Sequence, residues 1–173
     1  MKKVIIGNIL TVLILTALCL TSCGKKGWEL EMDGESISLP CTLEDMGEGF
    51  EYNFDYPFSG NSNNDGTISA ALEHNGDIIG MVTVEADSTE DIDEDSNIHK
   101  ISTVASTTGQ KDLKINGIEN GASKYDVIAK FGQPENVDAK VWKFTKEGFT
   151  AIFFLDESDN VTMLSISDEV DED

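Results

Sequence analysis

The feature that most constrains this fold is a short stretch, residues 123–134 (SKYDVIAKFGQP), that specifies a helix together with both of its ends. Ser123 and Asp126 have the spacing of a capping box, in which each side chain accepts a hydrogen bond from the other residue's backbone N–H. Gly132 suits the backbone turn that ends a helix, and Pro134 cannot continue one. The stretch therefore predicts a helix of about two to three turns.

Three strand-like runs follow this helix, at residues 141–144, 149–155 and 161–166. Each is rich in β-branched and aromatic residues, and short polar segments that favour turns separate them. Because no second helical segment lies between these runs, they can pair as neighbours without a crossover connection. The pattern predicts an antiparallel meander packed against the helix.

The first half of the chain follows a similar plan. Thr42 and Asp45 repeat the cap spacing, and Gly47 follows as a stop signal. Aromatic residues occupy every second position over residues 50–56, and Asn75-Gly76 is a strong hairpin signal. We therefore predict an α+β fold made of two similar units, each a short capped helix packed on an antiparallel β-meander.

The chain begins with a segment of a different kind. Two lysines follow Met1, and the run at residues 9–20 is apolar except for two threonines. Twelve helical residues span about 18 Å, whereas a bilayer core is about 30 Å thick. This arrangement is typical of a secretory signal peptide.

The signal-like segment ends in Leu20-Thr21-Ser22-Cys23, which resembles the lipobox of bacterial lipoproteins. The resemblance implies that Cys23 carries a diacylglyceryl group and a palmitate-type acyl chain, and that cleavage occurs immediately before it. Two acyl chains on one glycerol give the stable anchoring that a single chain does not. An ordinary cleaved signal with an incidental cysteine is the alternative. The expected location is the extracytoplasmic face of the cell membrane.

These features predict the domain organisation of the chain. It consists of a signal peptide (1–22), a lipidated N-terminus and tether (23–32), a first α+β unit (33–108) with an acidic loop (85–95), a second α+β unit (109–167), and a disordered acidic tail (168–173).

Residues 112–167 resemble the small α+β repeat of the β-lactamase-inhibitor-protein-like group, and a related unit occurs in the SmpA/OmlA (BamE) outer-membrane lipoproteins. The residues that carry this resemblance are Gly121, Ser123, Val127, Phe131, Gly132, Pro134 and Trp142. They are mainly caps and core positions, so the resemblance implies a fold more than a function. Members of one group inhibit an enzyme, whereas the others belong to outer-membrane assembly machinery.

Charge limits the partners of this protein. The chain has 12 Lys+Arg and 33 Asp+Glu, a net charge of −21, and loss of the two lysines in residues 1–22 would make it −23. Such a field repels phosphate backbones, so we expect no nucleic-acid partner. Cations, basic proteins and neutral ligands remain, and an extracytoplasmic protein is the partner class that fits the expected location.

The acidic loop contains Asp91, Asp93 and Asp95, which have the D-x-D-x-D spacing that begins a calcium loop. An EF-hand would place glycine at its sixth position and glutamate at its twelfth, where this chain has Ser96 and Ser102. A weak divalent-cation site, with calcium as its ion, is one interpretation. A solvated acidic loop is the other.

The chain carries none of the motifs Gly-x-Ser-x-Gly, His-Glu-x-x-His or a phosphate-binding glycine loop. We expect Cys41 to be a buried apolar residue, and His74 and His99 to lie on strand surfaces. No catalytic residue and no further cofactor are therefore predicted, and the protein is expected not to be an enzyme.

The leading functional prediction is a non-enzymatic binding or envelope-associated module. Alternate residues of a strand point to opposite faces, so Phe153 and Phe154 cannot both be buried. Surplus aromatic residues on one face suggest a binding surface, for which we name Trp142, Phe144 and Phe153. An inhibitor or immunity-type protein and a hydrolase with unrecognised carboxylates are the alternatives.

Overall fold

The computed structural model describes residues 27–32, 34–63, 66–104, 113–134 and 136–168. The predicted signal peptide, the predicted lipid-attachment residue Cys23 and residues 169–173 of the predicted tail lie outside these ranges. The described strands are β1 (Leu30–Met32), β2 (Glu35–Ile37), β3 (Phe50–Asn53), β4 (Asn61–Ser62), β5 (Thr67–His74), β6 (Asp77–Glu85), β7 (Ile98–Ser102), β8 (Lys114–Ile115), β9 (Val141–Lys146), β10 (Phe149–Leu155) and β11 (Val161–Ser167). The described helices are α1 (Leu43–Met46), α2 (Lys124–Phe131) and a 3₁₀ turn (Thr89–Asp91).

Both predicted capping boxes are present. At α2, the Ser123 backbone N–H donates to Asp126 Oδ2 at 3.0 Å, and the Asp126 N–H donates back to Ser123 Oγ at 3.4 Å. At α1, the same two hydrogen bonds join Thr42 and Asp45, at 3.0 and 3.2 Å. The prediction of two short helices that begin at Ser123 and Thr42 is confirmed.

The strands form one large antiparallel sheet in the order β3-β5-β6-β7-β11-β10-β9, with β4 also pairing with β5. The first meander runs inward from β3 to β7, and the second runs inward from β9 to β11. They meet where β7 pairs with β11, with Ile101 opposite Ile166. The predicted α+β class, with a mostly antiparallel sheet, is therefore confirmed.

A second, three-stranded sheet has the order β2-β1-β8. Its strand β1 lies in the segment that was assigned to the tether, so that assignment needs correction for residues 27–32. Leu30 and Met32 are each only 2 % exposed, and the Trp28 ring lies 5.2 Å from that of Phe131. Apolar residues alternate here with Glu29 and Glu31, which is a strand pattern, and pairing with β8 buries the apolar side.

An aromatic cluster fills the space under α2. Phe131, at the end of this helix, has its ring centroid 5.2 Å from that of Phe144 and 4.9 Å from that of Phe153. Phe153 is completely buried. Burial of one such side chain contributes about 1.5–3 kcal/mol to the free energy of folding. This cluster therefore stabilises the second half.

Candidate functional site

An open groove of about 780 Å³ lies beside α1, at the end of the large sheet. We call it the acidic groove. Five carboxylate residues line it, namely Glu44, Glu48, Glu51, Asp93 and Glu94. Three aromatic residues line it as well, namely Phe50, Tyr52 and Phe54. Its volume falls within the usual range for ligand sites in proteins.

The acidic groove brings together parts of the chain that are far apart in sequence. Leu43 N, at the start of α1, donates to Glu94 O at 3.2 Å, which places the acidic loop against the helix. Cys41 and Ile98 form a short bridge next to this contact, with hydrogen bonds of 2.7 and 3.2 Å. These backbone bonds hold Asp93 and Glu94 opposite β3.

The turn between α1 and β3 shapes the floor of the groove. Gly47 and Gly49 have φ values of +103° and +86°, which side chains other than glycine rarely adopt. A Cβ atom on Gly49 would also lie 2.7 Å from Asn75 Oδ1. The turn therefore requires glycine at this point.

The carboxylates of the acidic groove have no cationic partner among the residues that the structure describes. Across the described part of the chain, none of the five forms an ion pair with a lysine or histidine. The local sequence explains this, because residues 27–104 contain 19 acidic residues and a single lysine, Lys100. The groove is thus a concentrated negative field beside an aromatic wall.

The aromatic wall comes from alternate positions of β3 and the loop after it. The Phe50 ring stacks on His74 with centroids 4.3 Å apart, and the Tyr52 and Phe54 rings are 6.2 Å apart. His74 is 8 % exposed, so the expectation that it lies on the surface is wrong. Its neighbour across the strand pair is Phe50, whose ring stacks on the imidazole.

Tyr52 supplies a polar group at the base of this wall. Its hydroxyl is buried and has no hydrogen-bond partner within the described ranges. Burial, followed by the proximity of Cys41 and Asp93, raises the pKa of this phenol well above its usual value. Tyr52 is therefore neutral at physiological pH, and its hydroxyl is able to donate a hydrogen bond.

The loop that follows β3 carries an unusually exposed aromatic residue. Phe58 is 79 % exposed and has a φ of +72°, which is rare for a bulky side chain. The loop is nevertheless well fixed, since Phe58 O accepts from Asn61 Nδ2 at 2.8 Å and Ser59 Oγ accepts from Ala71 N at 2.9 Å. Strained residues of this kind are concentrated at functional sites.

The predicted aromatic binding surface needs correction. Trp142, Phe144 and Phe153 are only 3, 8 and 0 % exposed. They lie on the sheet face that α2 covers, where Phe131 packs on two of them. Alternation along β10 leaves Phe154 half-buried on the other face. The exposed aromatic residues are instead Phe54, Phe58 and Tyr125.

Comparison of the chain with protein-family models, with curated proteins and with solved structures found no match. Among the described residues, no helix has the length and apolar character needed to cross a membrane.

The predicted calcium ligands engage in local turns. Asp91 Oδ2 accepts from Ser88 Oγ at 2.6 Å, and Asp93 Oδ1 accepts from Asp95 N and Ser96 Oγ at 3.1 Å each. Within the ranges that the structure covers, no three His, Cys, Asp or Glu side chains are grouped to hold a metal. The calcium site stays a prediction. A rise in melting temperature on adding calcium, abolished by Asp91→Asn with Asp93→Asn, would support it, and no shift in excess calcium would refute it.

Cys41 is 3 % exposed, as a buried apolar residue should be. Burial, followed by the charges of Asp45 and Asp168, raises the pKa of its thiol to about 12. The thiol is therefore protonated at physiological pH, and a protonated thiol is a poor nucleophile.

His99 joins the end of the described chain to the centre of the large sheet. Its Nδ1 lies 3.0 Å from Asp168 Oδ1, and its Nε2 lies 3.4 Å from Glu85 Oε2. Asp168 N also donates to His99 O at 3.1 Å. The predicted disordered tail therefore cannot include Asp168, because two contacts with β7 fix this residue.

Proposed function

We propose that this protein is a membrane-anchored extracytoplasmic lipoprotein that acts as a non-enzymatic binding module, and that the acidic groove is its binding site. The observation that carries the binding role is the groove itself. It combines an aromatic wall, which can supply contact energy, with five carboxylates that have no cationic partner among the described residues. Such unpaired surface charge favours an external partner of opposite sign.

The lipobox-like sequence that ends at Cys23 supports the anchor. Gly27, four residues after Cys23, packs on the second half. A Cβ atom on Gly27 would lie 2.7 Å from the Phe149 ring. In sequence, three residues separate Cys23 from this contact.

This arrangement would hold the acidic groove away from the anchor. Phe149 begins β10, which lies five strand positions from β3 in the large sheet. At about 4.8 Å for each position, the groove side of the sheet is about 24 Å from the point where the chain enters the fold. A partner could therefore reach the groove beside the membrane.

We also propose that the two halves are repeats of one unit. Each has a capping-box helix that leads into an outer strand, β3 or β9, and a meander that runs inward from that strand. This symmetry is what the resemblance to the inhibitor-like and SmpA/OmlA groups implies.

Substitution of Cys23 by serine tests the anchor. In cells, the unaltered protein should be found in the membrane fraction, and mass spectrometry should detect a lipid on its N-terminal cysteine. The variant should lose both properties. An intact leader on the unaltered protein, or a variant that still sediments with vesicles, would refute the anchor.

Site-specific photo-crosslinking tests the binding role. A photoreactive phenylalanine at position 54 would lie at the groove, and the same residue at position 125 provides a control, since Tyr125 is an exposed aromatic residue on α2. We expect crosslinked partner protein at position 54 and little or none at position 125. Absence of any product at position 54, in cells where the protein is correctly anchored, would refute binding through the groove.

A further inference from the structure

The acidic groove follows the free edge of a strand. It contacts Phe50, Glu51 and Tyr52, which are consecutive residues of β3. Side chains of consecutive strand residues point to opposite faces, so a cavity that contacts all three lies along the strand edge. In the sheet order, β3 is the terminal strand, and β5 is its neighbour on the other side.

The pairing of β3 with β5 shows which backbone groups face the groove. Asn75 N donates to Gly49 O at 3.0 Å, which makes the pair of residues 49 and 75 a hydrogen-bonded one. Hydrogen-bonded and non-hydrogen-bonded pairs alternate along an antiparallel ladder. Phe50 opposite His74 and Tyr52 opposite Leu72 are therefore non-hydrogen-bonded pairs.

It follows that the N–H and C=O groups of Phe50 and Tyr52 point away from β5, towards the groove. Within the ranges that the structure describes, these groups form no backbone hydrogen bond outside their own sheet. An open strand edge of this kind is a template for an added strand. Its four residues span about 13 Å, which suits a peptide segment of similar length.

We infer that the acidic groove binds an extended, lysine- or arginine-bearing segment of a partner protein, which adds to β3 as a further strand. This inference rests on the proposed binding role and names the partner's chemistry. Charge selects the segment, because all five charged side chains that line the groove are carboxylates. Cationic side chains on the added strand would pair with them, and a cation above the aromatic wall would gain further attraction.

This mode divides the recognition between two kinds of contact. Main-chain hydrogen bonds to Phe50 and Tyr52 would supply affinity that does not depend on sequence, whereas the carboxylates would select basic side chains. A neutral segment would lose the charge contacts, and an acidic one would be repelled. A basic segment that cannot pair through its backbone would lose the strand contacts.

Binding of fluorescent peptides to the full chain in mild detergent tests both the strand pairing and the selection by charge. The probe is a nine-residue peptide that alternates threonine and lysine. One control peptide replaces lysine with glutamate. A second keeps the lysines but has N-methyl groups on two neighbouring central residues, so that neither edge of the peptide can pair. We expect the N-methylated peptide to bind at least about tenfold more weakly than the probe, and the glutamate peptide not to bind measurably.

Two protein variants with equal charge changes separate specific from diffuse attraction. The groove variant carries Glu44→Gln, Glu48→Gln and Glu51→Gln. The control variant carries Asp138→Asn, Glu147→Gln and Glu157→Gln, three exposed acids of the second half. We expect the groove variant to bind the probe about tenfold more weakly and the control variant to change affinity by less than about twofold. Unchanged urea unfolding would show that both variants fold.

Hydrogen exchange provides a direct readout of strand addition. Bound probe should slow exchange at the amides of Phe50 and Tyr52, with no comparable change at β9, the opposite edge of the sheet. Equal binding of the N-methylated peptide would overturn the added strand. Equal losses in the two variants would overturn selection by the groove. If crosslinking at position 54 succeeds and every peptide result is negative, the proposed binding role stands and this inference falls.

Discussion

The two helix-and-strand regions begin in the same way and finish differently. Both helices have capping boxes, but α2 has eight residues and α1 has four. The last turn of α2 carries Phe131 onto the aromatic rings of the sheet. The shorter α1 ends at Met46 and has no residue in the corresponding place, so the acidic groove remains open beside it. One additional helical turn accompanies a filled aromatic core in the second half, and its absence accompanies an open groove in the first.

The same difference extends to charge. Residues 27–104 contain one lysine, whereas Lys124 and Lys140 in the second half both contact Asp159, each at 2.6 Å. The Asp159 carboxylate thus has two cationic partners within the second half, whereas the groove carboxylates have none among the described residues. We therefore expect mutations in the second half to affect stability and mutations in the groove to affect binding.

The largest difference in unfolding free energy should come from removing one aromatic ring in each of the two regions. Phe153→Ala should lower the free energy of unfolding by about 3–5 kcal/mol, because it leaves a cavity in a fully buried cluster. Phe54→Ala, in the groove, should change it by less than about 0.5 kcal/mol, since this side chain is 37 % exposed. Urea denaturation of the two variants measures both values, and similar losses would contradict the comparison.

Loss of each helix cap should have a smaller effect. Ser123→Ala and Thr42→Ala should each cost about 1 kcal/mol of unfolding free energy, because each leaves a backbone N–H without its cap. Hydrogen exchange should distinguish them. Thr42→Ala should expose the Gly47 amide, which bonds to Glu44 O in this one-turn helix, whereas Ser123→Ala should leave the Gly132 amide at the far end of α2 protected. Fast exchange of the Gly132 amide in Ser123→Ala would show that loss of the cap unfolds α2 as far as it unfolds α1.

The smallest effect should be a pH dependence that arises from Asp159 in the second half. Hydrogen bonds from Lys124 and then Lys140 lower the pKa of Asp159 from 3.8 to about 2. Because the folded-state pKa is the lower one, this carboxylate contributes stability above about pH 4, and the contribution is lost as the pH falls through about 2. Asp159→Asn should therefore flatten the decline of melting temperature between pH 4 and pH 2. An identical decline in Asp159→Asn would rule out this role.

Local signals in the sequence predicted much of the fold. The cap pairs at Ser123 and Thr42 gave both helix starts, and the aromatic and β-branched runs gave the strands of the second meander. These signals operate through contacts between residues a few positions apart, so a sequence displays them directly. The Asn75-Gly76 hairpin between β5 and β6 belongs to the same class.

The candidate site depends on contacts between distant residues, which the sequence does not display. The alternating aromatic residues over 50–56 and the acidic loop were both recognised, but the bond from Leu43 N to Glu94 O that brings them together was not. Similarly, alternation along β10 shows that Phe153 and Phe154 face opposite ways, and it does not show which face α2 covers. Because α2 covers the face that carries Phe153, the predicted binding surface is part of the core. The burial of Leu30 and Met32 also depends on a remote partner, β8.

The pairing of β1 with β8 has a consequence for the order in which the molecule can be built. Leu30 lies opposite Ile115, so β1 leaves the ribosome well before this partner strand has been synthesised. Contacts between such remote positions slow the search for the native state. Until residue 115 has emerged, Leu30 lacks its partner on β8, and the nascent chain exposes apolar side chains that are buried in the complete fold. A shortened chain that stops before residue 113 should consequently aggregate, even though it contains every strand from β1 to β7.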